Sequence, residues 1–150
     1  PDLLGRTLAR LDAPAPPRDE APVARDPVFP RPLARYLGPR PAWRRVVPGL
    51  DVVEPPVRLG DEPVAVTRLA AGTRVPSHTH AGWELQLVLA GGYTADDGRF
   101  ARGDAHCADA SVTHGFRVDA DGPCVSLLVR EARIVSRTLH GRFFAWLTGA

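Results

Sequence analysis

Residues 72–91 read GTRVPSHTHAGWELQLVLAG, and this stretch decides the fold. Its fixed points are Gly72, the pair His78 and His80 around Thr79, then Glu84, then Gly91. Side chains two apart on a strand face the same side. A strand ending at His80 therefore sends both imidazoles one way and Thr79 the other. Ala81-Gly82 permits a tight turn, and the strand after it presents Glu84 beside the two rings. Two nitrogen donors of borderline softness with one hard oxygen suit Zn, Fe, Mn, Ni or Cu.

A fourth donor lies downstream. Gly103-Asp104 opens a turn, and His114 follows eleven residues after Gly103. A strand, a second turn and a returning strand fit that interval. Pairing of the two halves brings His114 to the mouth of the hairpin carrying His78 and His80. A lone strand histidine is more often a hydrogen-bonded structural residue. Three ligands at fixed offsets between two turn glycines, with a fourth at the right distance, favour a metal site made of His78, His80, Glu84 and His114.

Alternation on the strand after the turn assigns the two faces. Glu84, Gln86 and Val88 point into a barrel, whereas Trp83, Leu85, Leu87 and Leu89 point out. Gln86 is then either a hydrogen-bonding partner to the ligands or a wall of the pocket. An outer face this apolar needs a cover, from N-terminal strands or from a second subunit in a homodimer.

Working outward, short β-rich runs recur at 43–47, 50–53, 64–69, 83–89, 92–94, 116–118, 124–130 and 134–135. Pro48-Gly49, Gly60-Asp61, Ala71-Gly72, Gly91-Gly92, Asp97-Gly98 and Asp121-Gly122 separate them. Many short strands at near-regular spacing predict an all-β sandwich or barrel. Upstream, Leu4, Leu8 and Leu11 at helical spacing predict a short helix over 2–11. Seven prolines between Pro14 and Pro32 make residues 13–38 a Pro-rich linker. One helical turn over 32–37 starts at proline and stops at Gly38. The domain division is 1–12 as the tail of a helical element, 13–38 as linker and 39–150 as the metal-binding domain. Phe143, Phe144, Trp146 and Leu147 predict a tail packed onto the barrel.

Composition excludes more than it assigns. The 150 residues carry 19 basic and 17 acidic side chains, a net charge of +2, which gives no strong pull toward nucleic acid or membrane. No apolar run approaches a membrane span, so a cytoplasmic protein is expected. Cys107 and Cys124 are too few for a disulfide scaffold; they read as small apolar residues, or as a thiol pair across adjacent strands. His106 and Cys107 take opposite faces of any strand there, and His140 reads as a surface residue. The start at Pro1 and the lack of methionine suggest that more chain precedes this one.

Residues 72–91 and 103–114 resemble the two motifs of the cupin superfamily. The first matches at Gly72, His78, His80, Glu84 and Gly91, and the second at Gly103 and His114. Asp109 and Ser111 stand where Pro and Gly are usual, and Val118 where Asn is common. The implied fold is the cupin double-stranded β-helix, a jelly-roll barrel, here a single small domain. The Leu-rich run at 3–11, the linker, PRPLARYLG at 30–38, Trp43 and Pro48-Gly49-Leu50 extend the likeness. With them the chain resembles the C-terminal cupin-like domain of the ChrR family of anti-sigma factors. That resemblance implies one divalent metal ion, zinc first, with Fe, Mn and Ni as alternatives. It also implies control of an extracytoplasmic-function sigma factor in the response to singlet oxygen or peroxides. In that family the sigma factor is held by a helical domain with a His-x3-Cys-x2-Cys motif. No such motif occurs in residues 1–150, so sigma binding is expected from a region before Pro1. The alternative is a cupin metalloenzyme, dioxygenase-like or isomerase-like. The residues offer no acid–base pair beyond the ligands, which leans away from catalysis.

Overall fold

A computed structural model describes residues 27–131, Ile134–Val135 and the isolated positions 2 and 5. The rest of the expected 2–11 helix, the linker up to residue 26, His140 and the aromatic tail lie outside the described residues.

Helix α1, Arg31–Leu37, follows Pro30 and carries Pro32 in its first turn, where a missing N–H costs nothing. Gly38 ends it at φ 69°, and its N–H donates to the Ala34 carbonyl at 3.0 Å. The strands follow: β1 Arg44–Val47, β2 Leu50–Val53, β3 Arg58–Leu59, β4 Glu62–Leu69, β5 Arg74–His80 and β6 Glu84–Ala90. After them come β7 Gly92–Ala95, β8 Gly98–Ala101, β9 Ala105–Ala108, β10 His114–Val118, β11 Cys124–Arg130 and β12 Ile134–Val135.

Two antiparallel sheets form. One runs β1-β2-β4-β11-β6-β9, with β3 on the side of β4; the other runs β12-β5-β10-β7-β8. One core cluster joins them face to face: Leu50, Leu69, Val88 and Cys124 from the first sheet meet Val75, Tyr93 and Val118 from the second. This is the expected jelly-roll barrel. Gly91 lets the chain pass from β6 to β7. It sits at φ 70°, and a Cβ there would collide with the Pro123 carbonyl.

Two sequence expectations change here. β5 and β6 are consecutive but not paired: β5 bonds to β10 and β12, while β6 bonds to β11 and β9. The 81–82 turn therefore carries the chain from one sheet to the other and closes no hairpin. The outer apolar face is covered by α1 rather than by N-terminal strands. Leu33 and Leu37 pack with Val53, Val66, Leu89 and Val125, flanked by Val28, Phe29 and Trp43. Arg68 lays its guanidinium 4.5 Å over the Trp43 ring and bonds Asp51 at 2.9 Å, closing that edge. Leu85, at 38% exposed, escapes this cover.

Candidate metal centre

The apolar cluster fills one end of the barrel, and the histidines gather at the other. His78 and His80 close β5, and His114 opens β10. The β5–β10 register sets His114 opposite His78, with a bulge between His114 and Phe116. That bulge re-aims the strand start. The ring centroids lie 4.5 Å apart for His78–His114, 5.1 Å for His78–His80 and 5.2 Å for His80–His114. One nitrogen from each of the three comes within 4.8 Å of the others, and all three rings are buried.

The loop that delivers His114 is fastened from both sides. Asp109 accepts from the Ser111 amide at 2.8 Å and from its hydroxyl at 2.6 Å, a turn closed by a short carboxylate. Thr79, pointing away from the two imidazoles as alternation requires, donates its hydroxyl to the Val112 carbonyl at 2.7 Å. The residues flanking His114 and those flanking His78 and His80 are thus tied together.

Proton positions follow from the contacts. His78 Nδ1 lies 2.8 Å from the Pro76 carbonyl, which accepts only, so Nδ1 carries the proton and Nε2 offers a lone pair. His80 Nε2 and His114 Nε2 stand 2.9 Å apart, while the Nδ1 atoms of both are buried without a partner. Burial first, then the neighbouring His78, lowers the pKa of each to about 4. Three neutral imidazoles with convergent lone pairs fit a cation. An ion there takes the Nε2 pairs of His80 and His114 and leaves their protons on Nδ1.

Glu84 opens β6 on the facing sheet, between Ala108 of β9 and Arg130 of β11. Its Oε1 is 3.9 Å from His80 Nε2, so it stands beside the three-histidine cluster rather than within it. Burial pushes its pKa up to about 7, with Arg130 opposing. Gln86, one pleat deeper, donates to the Ser126 hydroxyl at 3.0 Å. A cavity of about 100 Å³ adjoins these groups, with His78, Glu84 and Gln86 in its wall.

Two side chains take places that spacing left open. His106 turns inward: its ring stacks on Phe100 at 4.9 Å, meets His114 at 5.0 Å, and its Nε2 is 3.6 Å from Asp97. The β6–β9 pairing sets it opposite Gln86 on the inward face, a register that spacing alone does not give. Cys107 is exposed and Cys124 is buried in the core, both as free thiols, so the two do not form a pair.

Residues 42–130 match the family model described as the ChrR cupin-like domain. The chain belongs to this family. Anti-sigma-E factor ChrR of Cereibacter sphaeroides is 34% identical over 137 residues, covering 86% of this chain and 61% of that protein. The chain therefore spans under two thirds of that relative's length. The crystal structure of Rhodobacter sphaeroides SigE in complex with the anti-sigma ChrR matches with a TM-score of 0.65 and 28% identity. That match covers 87% of this chain and 76% of the other. A cupin-like protein of Ralstonia eutropha shares the fold at a TM-score of 0.53 and 18% identity, over 62% of this chain and 61% of its own. In this ChrR cupin-like domain, the turn closed by Asp109 and Ser111 leads into His114 at the start of β10. No described helix is long and apolar enough to cross a membrane.

Proposed function

We propose that this chain is the metal-binding sensor module of a ChrR-type anti-sigma factor. It would govern an extracytoplasmic-function sigma factor in the response to singlet oxygen or peroxides. The observation that carries the reading is the buried cluster of His78, His80 and His114 inside a ChrR cupin-like barrel. Glu84, 3.9 Å from His80 Nε2 on the facing sheet, would swing in to complete the ligand set. Four protein ligands would then close a tetrahedral zinc site with no position for substrate, which suits a structural or sensing role over turnover. In this reading the module's part is to sense, and its output is the state of the metal site.

The test replaces His78 and His114 together by alanine in the chromosomal gene. Sigma-dependent transcription is then followed after a singlet-oxygen photosensitiser or an organic peroxide. Repression should persist and induction should be lost. Full induction in a variant shown to lack metal would end the sensor reading.

A further inference from the structure

The smaller sheet carries a hollow on its outer face, the side opposite the histidine rings. Arg74 of β5 stands directly across from Arg117 of β10, and Arg117 stands across from Thr94 of β7. Their neighbours Val75, Val118 and Tyr93 are buried in the core, so alternation turns all three side chains outward, where they are exposed. With Ser77 and the bare backbone of Gly115 they line a depression of about 290 Å³. Like charges facing each other across a ladder repel. Arg99, which continues the same row opposite Thr94, is answered by Asp119 at 2.7 Å. Arg74 and Arg117 have no such answer. Among the described residues neither guanidinium makes a hydrogen bond or an ion pair. Asp96 also lines the hollow but pairs with neither arginine, which leaves the wall net positive.

We propose that this hollow binds a soluble phosphate monoester, its phosphoryl group held between Arg74 and Arg117. Geometry selects the chemistry. A carboxylate has two oxygens in one plane and matches a single guanidinium fork. A phosphoryl group spreads three oxygens and close to two negative charges, so it accepts from both forks at once. The Ser77 and Thr94 hydroxyls stand in the same wall and supply further donors. The hollow is larger than a bare phosphate ion fills and leaves room for a small polyol on the ester oxygen. The site uses no metal ligand, so it stands or falls apart from the sensor reading.

The probes are inorganic phosphate and glycerol 3-phosphate, with acetate as the planar control. Each is titrated calorimetrically into the 1–150 chain, as purified and after metal removal. A dissociation constant of about 1 mM is expected for both phosphates, unchanged by metal removal. Acetate should bind about tenfold more weakly. Arg74→Gln and Arg117→Gln should each weaken phosphate by about tenfold. Arg58→Gln, an equal loss of charge on β3 outside the hollow, should leave it within about twofold. Amide shift changes at Ser77, Thr94 and Gly115 of the unaltered chain would locate the ligand without relying on a variant. Failure of both phosphates to saturate at about ten times the expected constant would overturn the proposal, as would equal affinity for acetate or an equal loss in Arg58→Gln. Binding that disappears with the metal would also overturn it, because the phosphate would then sit on the ion. Binding to vesicles containing phosphatidic acid, but to neither soluble probe, would overturn it in favour of a membrane surface.

Discussion

His114 lies directly across from His78 in the β5–β10 ladder, although the two come from separate motifs. Backbone hydrogen bonds thus set their spacing before any ion is present. The two strand ends hold the imidazoles ready, and a metal has little ordering left to do.

Removing either partner should empty the site without unfolding the barrel. In His78→Ala and His114→Ala, metal affinity is expected to fall more than about a hundredfold, beyond the usual cost of losing an outer partner. Elemental analysis should read well below one ion per chain while far-ultraviolet circular dichroism stays β-like. Full occupancy in both variants would contradict the assignment.

The pH dependence of metal uptake should belong to the carboxylate. His80 and His114 are held at about 4, so they are already neutral at pH 5. Glu84, raised to about 7, still holds its proton there. Binding should release close to one proton from Glu84 between pH 5 and 6, about half a proton at pH 7, and strengthen as pH rises. Glu84→Gln should bind more weakly and lose that slope. A slope unchanged in Glu84→Gln would move the titration to another group.

The metal-free chain should gain stability as pH rises toward neutrality and then level off. Glu84 has a folded pKa above its ordinary 4.5, so its contribution is full below 4.5 and lost as pH rises through about 7. His80 and His114 have folded values below their ordinary 6.5, so theirs is full above 6.5 and lost as pH falls through about 4. Two histidines outweigh one carboxylate, so urea unfolding of the chelated protein should show stability climbing from pH 5 to about 6.5 and then staying level to pH 8. In Glu84→Gln the opposing loss is gone, so the climb from pH 5 to 7 should be steeper. Stability that falls from pH 5 to 6.5 would refute this.

The loop anchor is testable by itself. Thr79→Val keeps the shape and removes the hydroxyl that holds Val112. A loss of about 1 kcal/mol in stability is expected, together with weaker metal binding by chelator competition as His114 loosens. Unchanged affinity would show that the bulge alone places His114.

Glycine positions should split by surroundings. Gly72 and Gly91 share a φ near +70°, but a Cβ at Gly72 meets open space and one at Gly91 meets the Pro123 carbonyl. Gly72→Ala should cost about 1 kcal/mol and Gly91→Ala about 3 or more, read as shifts in denaturation midpoint. Equal costs would mean that Pro123 yields freely.

Much of the molecule was legible because its constraints are local. The alternation in ELQLVLA gave the inward and outward faces of β6, and the glycines marked the turns. What spacing could not give was partner choice between strands. A turn at Ala81-Gly82 serves a hairpin or a crossing between sheets equally well, and only the whole network selects the crossing. β8 and β9 were hard to see because GRFA and AHCA are too short and polar to stand out. The cover from α1 was obscured by prolines that suggested loose chain. His106 shared a neighbourhood with His114 that only folding reveals.

The crossing at 81–82 has one more consequence. The imidazoles hang from one sheet and Glu84 from the other, so an ion gripped by all four would act as a rivet between two separately bonded plates. Loss of any one of the four would pull that rivet at the histidine end, while Leu50, Leu69, Val88, Val75 and Val118 still clamp the sheets together in the core.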